Sequence, residues 1–142
     1  MNNAFGLPPG FQHREDAVEL EEHVWDAAMD TGLKAHYLTA KFAIPAMQQS
    51  GGGAIVSLSS VHGLLAAPGW LVYDTLKHGV IGLTRQLATA YGRDNIRVNA
   101  VCACSSLTFT HACYIVDECS ADRTWDAQTR AVLRCVECGA AQ

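Results

Sequence analysis

The 142-residue chain is 49% apolar and 17% charged, a balance that excludes disorder over most of its length. That length points to one domain able to bury roughly two-thirds of its unfolded surface. Its formal charge of -4 and its ten scattered Lys and Arg offer no stripe for a phosphate backbone, so nucleic acid is not the expected partner. No apolar run nears the ~18 residues needed to span a bilayer, and Met1 to Phe11 lacks the basic start and apolar block of a secretory signal. The expectation is a cytoplasmic protein, off the membrane, whose six Cys are reduced thiols.

Asn2 to Phe11 reads as a loop, punctuated by Gly6, Pro8, Pro9 and Gly10. Acidic residues from Glu15 to Asp26 suit the positive end of a helix. Leu20, Val24, Ala27, Ala28, Leu38, Phe42 and Ala46 recur at near-helical spacing, which predicts a long helix over Leu20 to Gln49. A bend is expected near Gly32 and at Pro45, and Gly51-Gly52-Gly53 ends the helix in a turn. Ala54 to Ser60 has the β-branched content of a strand. From Leu71 to Tyr91, Leu76, Val80, Leu83, Leu87 and Tyr91 step by four, three, four and four along a second helix, with Gly92 as its C-cap. Ile96 to Val101 reads as a second strand. Strand, helix and strand with short connections predict a βαβ unit, hence a parallel sheet under helices.

That unit gathers polar residues. Tyr73 and Lys77 are four apart near a helix start and project from one face. An ammonium beside a phenol favours the phenolate, so Lys77 is expected to pull Tyr73 below the reference of about 10 and make it a general acid/base. Ser60 ends the preceding strand, where an open α/β sheet places its ligand crevice, and its hydroxyl could steady charge on a carbonyl oxygen. The bland alternatives are a solvated helix face and a turn serine.

Ala54-Ile-Val-Ser-Leu-Ser-Ser-Val-His-Gly63, Tyr73-Asp-Thr-Leu-Lys77 and Ile96-Arg-Val-Asn-Ala-Val101, taken in order, resemble the second half of a short-chain dehydrogenase/reductase. Asn2-Asn3-Ala4 is similar to the start of that family's Asn-Asn-Ala-Gly motif. The resemblance covers Asn2 to Cys102, and the family's thirteen-residue interval from Ser to Tyr selects Ser60 over Ser57 and Ser59. It implies a partial Rossmann-like doubly wound parallel sheet, a three-layer αβα fold lacking the first βαβ units. It also implies NAD- or NADP-dependent interconversion of an alcohol and a carbonyl. Tyr73 would exchange the proton, Ser60 would orient the substrate oxygen, and Lys77 would bind the nicotinamide ribose. Asn3 would sit near the cofactor. His62 would line the substrate pocket beside Ser60, or else be a partly exposed loop residue.

Three departures qualify these implications. The chain opens at the Asn-Asn-Ala motif, so the Gly-rich phosphate turn and the residue choosing NAD or NADP have no counterpart in it. Gly32 stands where the family's catalytic Asn is expected. Ala103-Cys104 follows Cys102 where Pro-Gly is expected. All six Cys fall in residues 102–138, so residues 1–102 are read as the dehydrogenase-like unit and 103–142 as a divergent Cys-rich tail. A helix is expected over Trp125 to Val136. With one Cys-x-x-Cys pair, Cys135 and Cys138, the tail lacks the two knuckles of a structural zinc site. Three readings stay open: an oxidoreductase, a silent remnant acting as an oligomerising partner, and a metal-binding module. A homo-oligomer would form through the helices at 20–49 and 71–91.

Overall fold

The computed structural model describes residues 16–103, 114–117 and 132–135. The predicted loop at Asn2 to Phe11, Asn3 itself, and Cys104, Cys113, Cys119 and Cys138 lie outside the described residues.

The long predicted helix is present in three pieces: α1 (Glu22–Met29), a single π-helical turn (Asp30–Lys34) and α2 (Ala35–Gln49). The irregularity falls at Gly32, as expected, but takes the form of a π-turn inside a continuous helical path. Pro45 does not break α2. It is exposed, so the amide it lacks is missing where water can serve the helix instead.

Gly51 and Gly52 adopt φ of 82° and 141°, which a side chain would resist, and turn the chain into β1 (Gly53–Ser60). After β1 come a 3-10 turn (Val61–Gly63) and α3 (Leu71–Tyr91). The predicted C-cap differs here. Gly92 keeps helical angles and opens a further 3-10 turn, and it is Asn95, at φ 58°, that takes the left-handed conformation. The Asn95 carbonyl accepts from Gly53 N–H at 3.1 Å and its side-chain amide donates to the Gly51 carbonyl at 3.0 Å. Both strand entries are thereby tied together. β2 (Ile96–Ala103) starts in step with β1, Gly53 opposite Ile96 and Ser60 opposite Ala103, and the pair is parallel.

Alternation decides which face is buried. Ile55, Ser57 and Ser59 of β1 and Ile96, Val98, Ala100 and Cys102 of β2 point under the helices. Ala40 and Ile44 of α2 and Ala88 of α3 close over Ile55, Ile96 and Val98, while Ile81 covers Ala100 and Cys102. On α3, Val72, Leu76 and Val80 are at most 1% exposed, and each contributes about 1.5–3 kcal/mol by leaving water. Among the described residues the helices share one face of the sheet.

Two strands were not foreseen. β3 (Tyr114–Asp117) pairs antiparallel with β2, and β4 (Val132–Cys135) pairs antiparallel with β3, giving the order β1-β2-β3-β4. The helix expected to end at Val136 is therefore corrected at Val132–Cys135, which is strand. Four residues, Val-Leu-Arg-Cys, are too few to separate the two by periodicity, and the neighbouring strand supplies the hydrogen bonds.

Candidate functional site

The site lies where β1 ends and α3 begins. Ser60 is the last residue of β1, extended at φ -147° and ψ 166°, and is 7% exposed. Its hydroxyl accepts the His62 N–H at 3.3 Å and donates to the Ala103 carbonyl at 3.4 Å, both long contacts. Ser59, one residue earlier, faces the opposite way. It donates to the main-chain carbonyl of Lys77 at 3.0 Å and so clamps α3 to the strand.

Gly63 makes that clamp possible. A Cβ there would fall 2.5 Å from Ser59 Oγ and 2.8 Å from the Lys77 carbonyl, so only glycine lets the 3-10 turn lie against α3. The chain then runs through Gly69, at φ 79°, into the helix.

Tyr73 occupies the first turn of α3 and Lys77 the next. Lys77 is 4% exposed, an unusual place for an ammonium. Its Nζ donates to the Leu58 carbonyl at 3.0 Å and lies 5.6 Å from the centre of the Tyr73 ring. Burial pushes Lys77 below its ordinary value, and the charge of a Cys102 thiolate pulls it back up. Cys102 on β2 is a free thiol, fully buried. Burial raises it, against a hydrogen bond from Ser59 and the positive charges of Lys77 and Arg85.

His62 joins the set through its ring. It meets the Tyr73 ring edge to face at 5.4 Å and lies 4.7 Å from the ring of Trp70, which itself meets Tyr73 at 5.6 Å. His62 Nδ1 is 2.6 Å from Oδ1 of Asp74, whose Oδ2 accepts the Ala67 N–H at 2.7 Å. His62 is thus anchored in the 3-10 turn, with its side chain 24% exposed.

Ser60, Tyr73, Lys77 and His62 are therefore brought into one cluster at the carboxyl end of the parallel pair, where α/β sheets hold ligands. Asn3 cannot be placed, because it lies outside the described residues. At Gly32, where the resemblance expects Asn, the carbonyl is 2.7 Å from His36 Nδ1.

Sequence reasoning missed Asp74, Trp70 and Ser59. Asp74 is twelve residues from His62, a separation with no local period, and nothing short of the folded turn reveals the pair. An open groove of about 720 Å³, lined by Ala66, Ala67, Leu71, Asp74, Thr75 and His78, borders the cluster through Asp74 but holds none of Ser60, Tyr73 and Lys77.

The family profile described as enoyl-(acyl carrier protein) reductase matches residues 1–135. An uncharacterized oxidoreductase of Thermotoga maritima is 40% identical over 102 residues, which span 72% of this chain and 39% of the relative. Dehydrogenase/reductase SDR family member 4 of Caenorhabditis elegans is 35% identical over 99 residues, spanning 70% of this chain and 37% of the relative. Among solved structures, an ElxO variant with NADPH bound superposes with a TM-score of 0.66 at 30% identity, over 72% of this chain and 40% of the other. The chain spans less than half the length of each of these relatives.

Proposed function

The chain belongs to the short-chain dehydrogenase/reductase family, and from that premise we propose that Ser60, Tyr73 and Lys77 form the catalytic set of an NAD(P)-dependent oxidoreductase acting on a small alcohol or carbonyl compound. The observation that carries the reading is the buried ammonium of Lys77 beside the Tyr73 ring, at the strand end where Ser60 stands.

Each residue has a task that its surroundings support. Tyr73 passes a proton between its phenol oxygen and the substrate oxygen. Lys77, fixed by the Leu58 carbonyl, holds positive charge where the phenolate forms. Among the described residues Ser60 makes only long hydrogen bonds, so its hydroxyl can turn to the substrate oxygen at little cost.

The residues present also fit a nicotinamide ribose. A buried ammonium and a phenol at a strand's carboxyl end are donors suited to its hydroxyls, and Tyr73, Lys77 and Asn3 would hold it. The bound nicotinamide supplies the hydride. The choice between NAD and NADP is open. Cys102 as a free thiol agrees with a reducing, cytoplasmic setting, and no helix among the described residues is long and apolar enough to cross a membrane.

A second reading is favoured by α2. Phe42 is 73% exposed and Tyr37 47%, a surface suited to pairing copies through the helices at 20–49 and 71–91. With Gly32 in place of the expected Asn, the chain would then serve only as an oligomerising partner. Titration with NADH and NADPH separates the readings. The oxidoreductase shows a saturable change in nicotinamide fluorescence and a raised Tm, and Y73F keeps both while losing turnover. An absence of saturable binding with either nucleotide, in a sample that sediments as an oligomer, selects the partner reading.

A further inference from the structure

We infer that Asp74 is a positioning residue that fixes His62 as the Nδ1–H tautomer, leaving Nε2 beside Tyr73 as an acceptor for a hydroxyl on the substrate. The substrate role rests on the proposed reading of Tyr73; the tautomer does not. An ionised carboxylate only accepts hydrogen bonds, so the 2.6 Å contact of Oδ1 with Nδ1 places the ring proton on Nδ1. Oδ2 is occupied by the Ala67 N–H at 2.7 Å, and Asp74 is 7% exposed, so the carboxylate is held from both sides.

The ring is equally constrained. Trp70 covers it at 4.7 Å, Tyr73 meets it at 5.4 Å, and the main-chain N–H of His62 donates to Ser60 Oγ. Nε2, at the far end of the ring, makes no hydrogen bond among the described residues. A neutral imidazole held this way accepts and does not donate at Nε2. It therefore favours a substrate with a hydroxyl on the carbon next to the reacting one, a vicinal diol or hydroxycarbonyl compound, over a simple alcohol. Sequence order explains the economy: His62 follows Ser60 by two residues and Asp74 follows Tyr73 by one, so the pair bridges the two arms of the site.

The test is a long-range 1H–15N correlation of the histidine rings in the full chain at about pH 8.5, well above the usual imidazole range, with His62 assigned by the signals that vanish in H62F. The expected wild-type pattern is a protonated Nδ1 and a bare Nε2. In D74N, the amide oxygen keeps the Ala67 N–H and the amide nitrogen faces Nδ1, so the expected pattern inverts to Nε2–H. A wild-type spectrum with Nε2 protonated overturns the inference, and needs no variant to fold. A D74N spectrum identical to wild type assigns the tautomer to something other than Asp74 and overturns it as well. For the substrate role, H62F should lower kcat/KM for a vicinal diol about tenfold more than it lowers kcat/KM for a simple secondary alcohol, with the difference in KM. Equal losses on both substrates overturn the acceptor role. No turnover by a wild type that shows the expected tautomer overturns the dehydrogenase reading and the substrate role together, while an inverted tautomer in an active enzyme overturns the positioning alone.

Discussion

Gly32 and Leu76 lie so close that no Cβ fits between them: one built on Gly32 would fall 2.9 Å from Leu76 Cγ and closer still to Cδ1. The reverse pair, Gly79 against Leu33, has the same form, with a Cβ 2.8 Å from Leu33 Cδ2. Two glycines thus let the π-turn and α3 approach, each receiving the other's leucine. The position where family resemblance expects a polar Asn is filled by the side chain of a fully buried Leu76.

Restoring bulk at that contact should therefore destabilise. Gly32→Ala gains up to about 1 kcal/mol of helix propensity, but overpacking costs about 1–3 kcal/mol and should win. Gly32→Asn should cost at least as much, since its amide would be forced against leucine. In urea denaturation the double variant Gly32→Ala, Leu76→Ala should lose less than the sum of the single changes. Strict additivity would show that the two side chains do not compete for one space.

Cys102 and Lys77 set opposite slopes of stability with alkaline pH. The folded pKa of Cys102 is raised above 9.0, so its contribution is fully present below the unfolded thiol value and is lost as pH rises through the folded one. The folded pKa of Lys77 is lowered from 10.5, so its buried ammonium costs stability at lower pH, and the cost is relieved as pH climbs towards 10.5. Denaturation curves between about pH 8 and 10.5 should show the deficit of Cys102→Ala shrinking as pH rises. The advantage or deficit of Lys77→Met relative to wild type should move steadily against the variant over the same range. Parallel curves would mean that burial does not govern these groups.

What the sequence made legible follows from period and proximity. Ile55, Ser57 and Ser59 alternate, and Leu76, Val80, Leu83 and Leu87 step at helical spacing, so β1, α3 and β2 could be placed within two residues. Ser60, Tyr73 and Lys77 were legible because the tight βαβ connection joins them in one order. Asp74 was not, since its partners His62 and Ala67 meet it only after the 61–70 segment folds back. The strand at Val132–Cys135 was not either, because its hydrogen bonds come from a neighbour that leaves no mark on its own four residues.

Asn95 should tolerate little change. Its left-handed backbone costs an ordinary residue roughly 1 kcal/mol or more, and its amide bond to the Gly51 carbonyl adds to the entry of both strands. Asn95→Ala should lose about 1–2 kcal/mol on both counts, whereas Asn95→Gly should recover most of the backbone share and lose only the side-chain bond. Thermal unfolding of the two variants checks the order. Equal losses would assign the whole effect to the amide.

Ser59 and Ser60 separate stability from chemistry at adjacent positions. Ser59→Ala removes a buried bond of 3.0 Å and leaves the Lys77 carbonyl without that donor, which should cost about 1–3 kcal/mol. Lys77 itself stays tied to Leu58 through Nζ, so nucleotide binding should persist in the folded fraction. Ser60→Ala removes only contacts of 3.3 and 3.4 Å and should leave Tm nearly unchanged, while turnover falls about a hundredfold or more if the hydroxyl steadies charge on the substrate oxygen. Measuring Tm and turnover on both variants gives a crossed pattern. The reverse pattern, with Ser59→Ala stable and inactive, would move the catalytic hydroxyl one residue back, onto the buried face of β1.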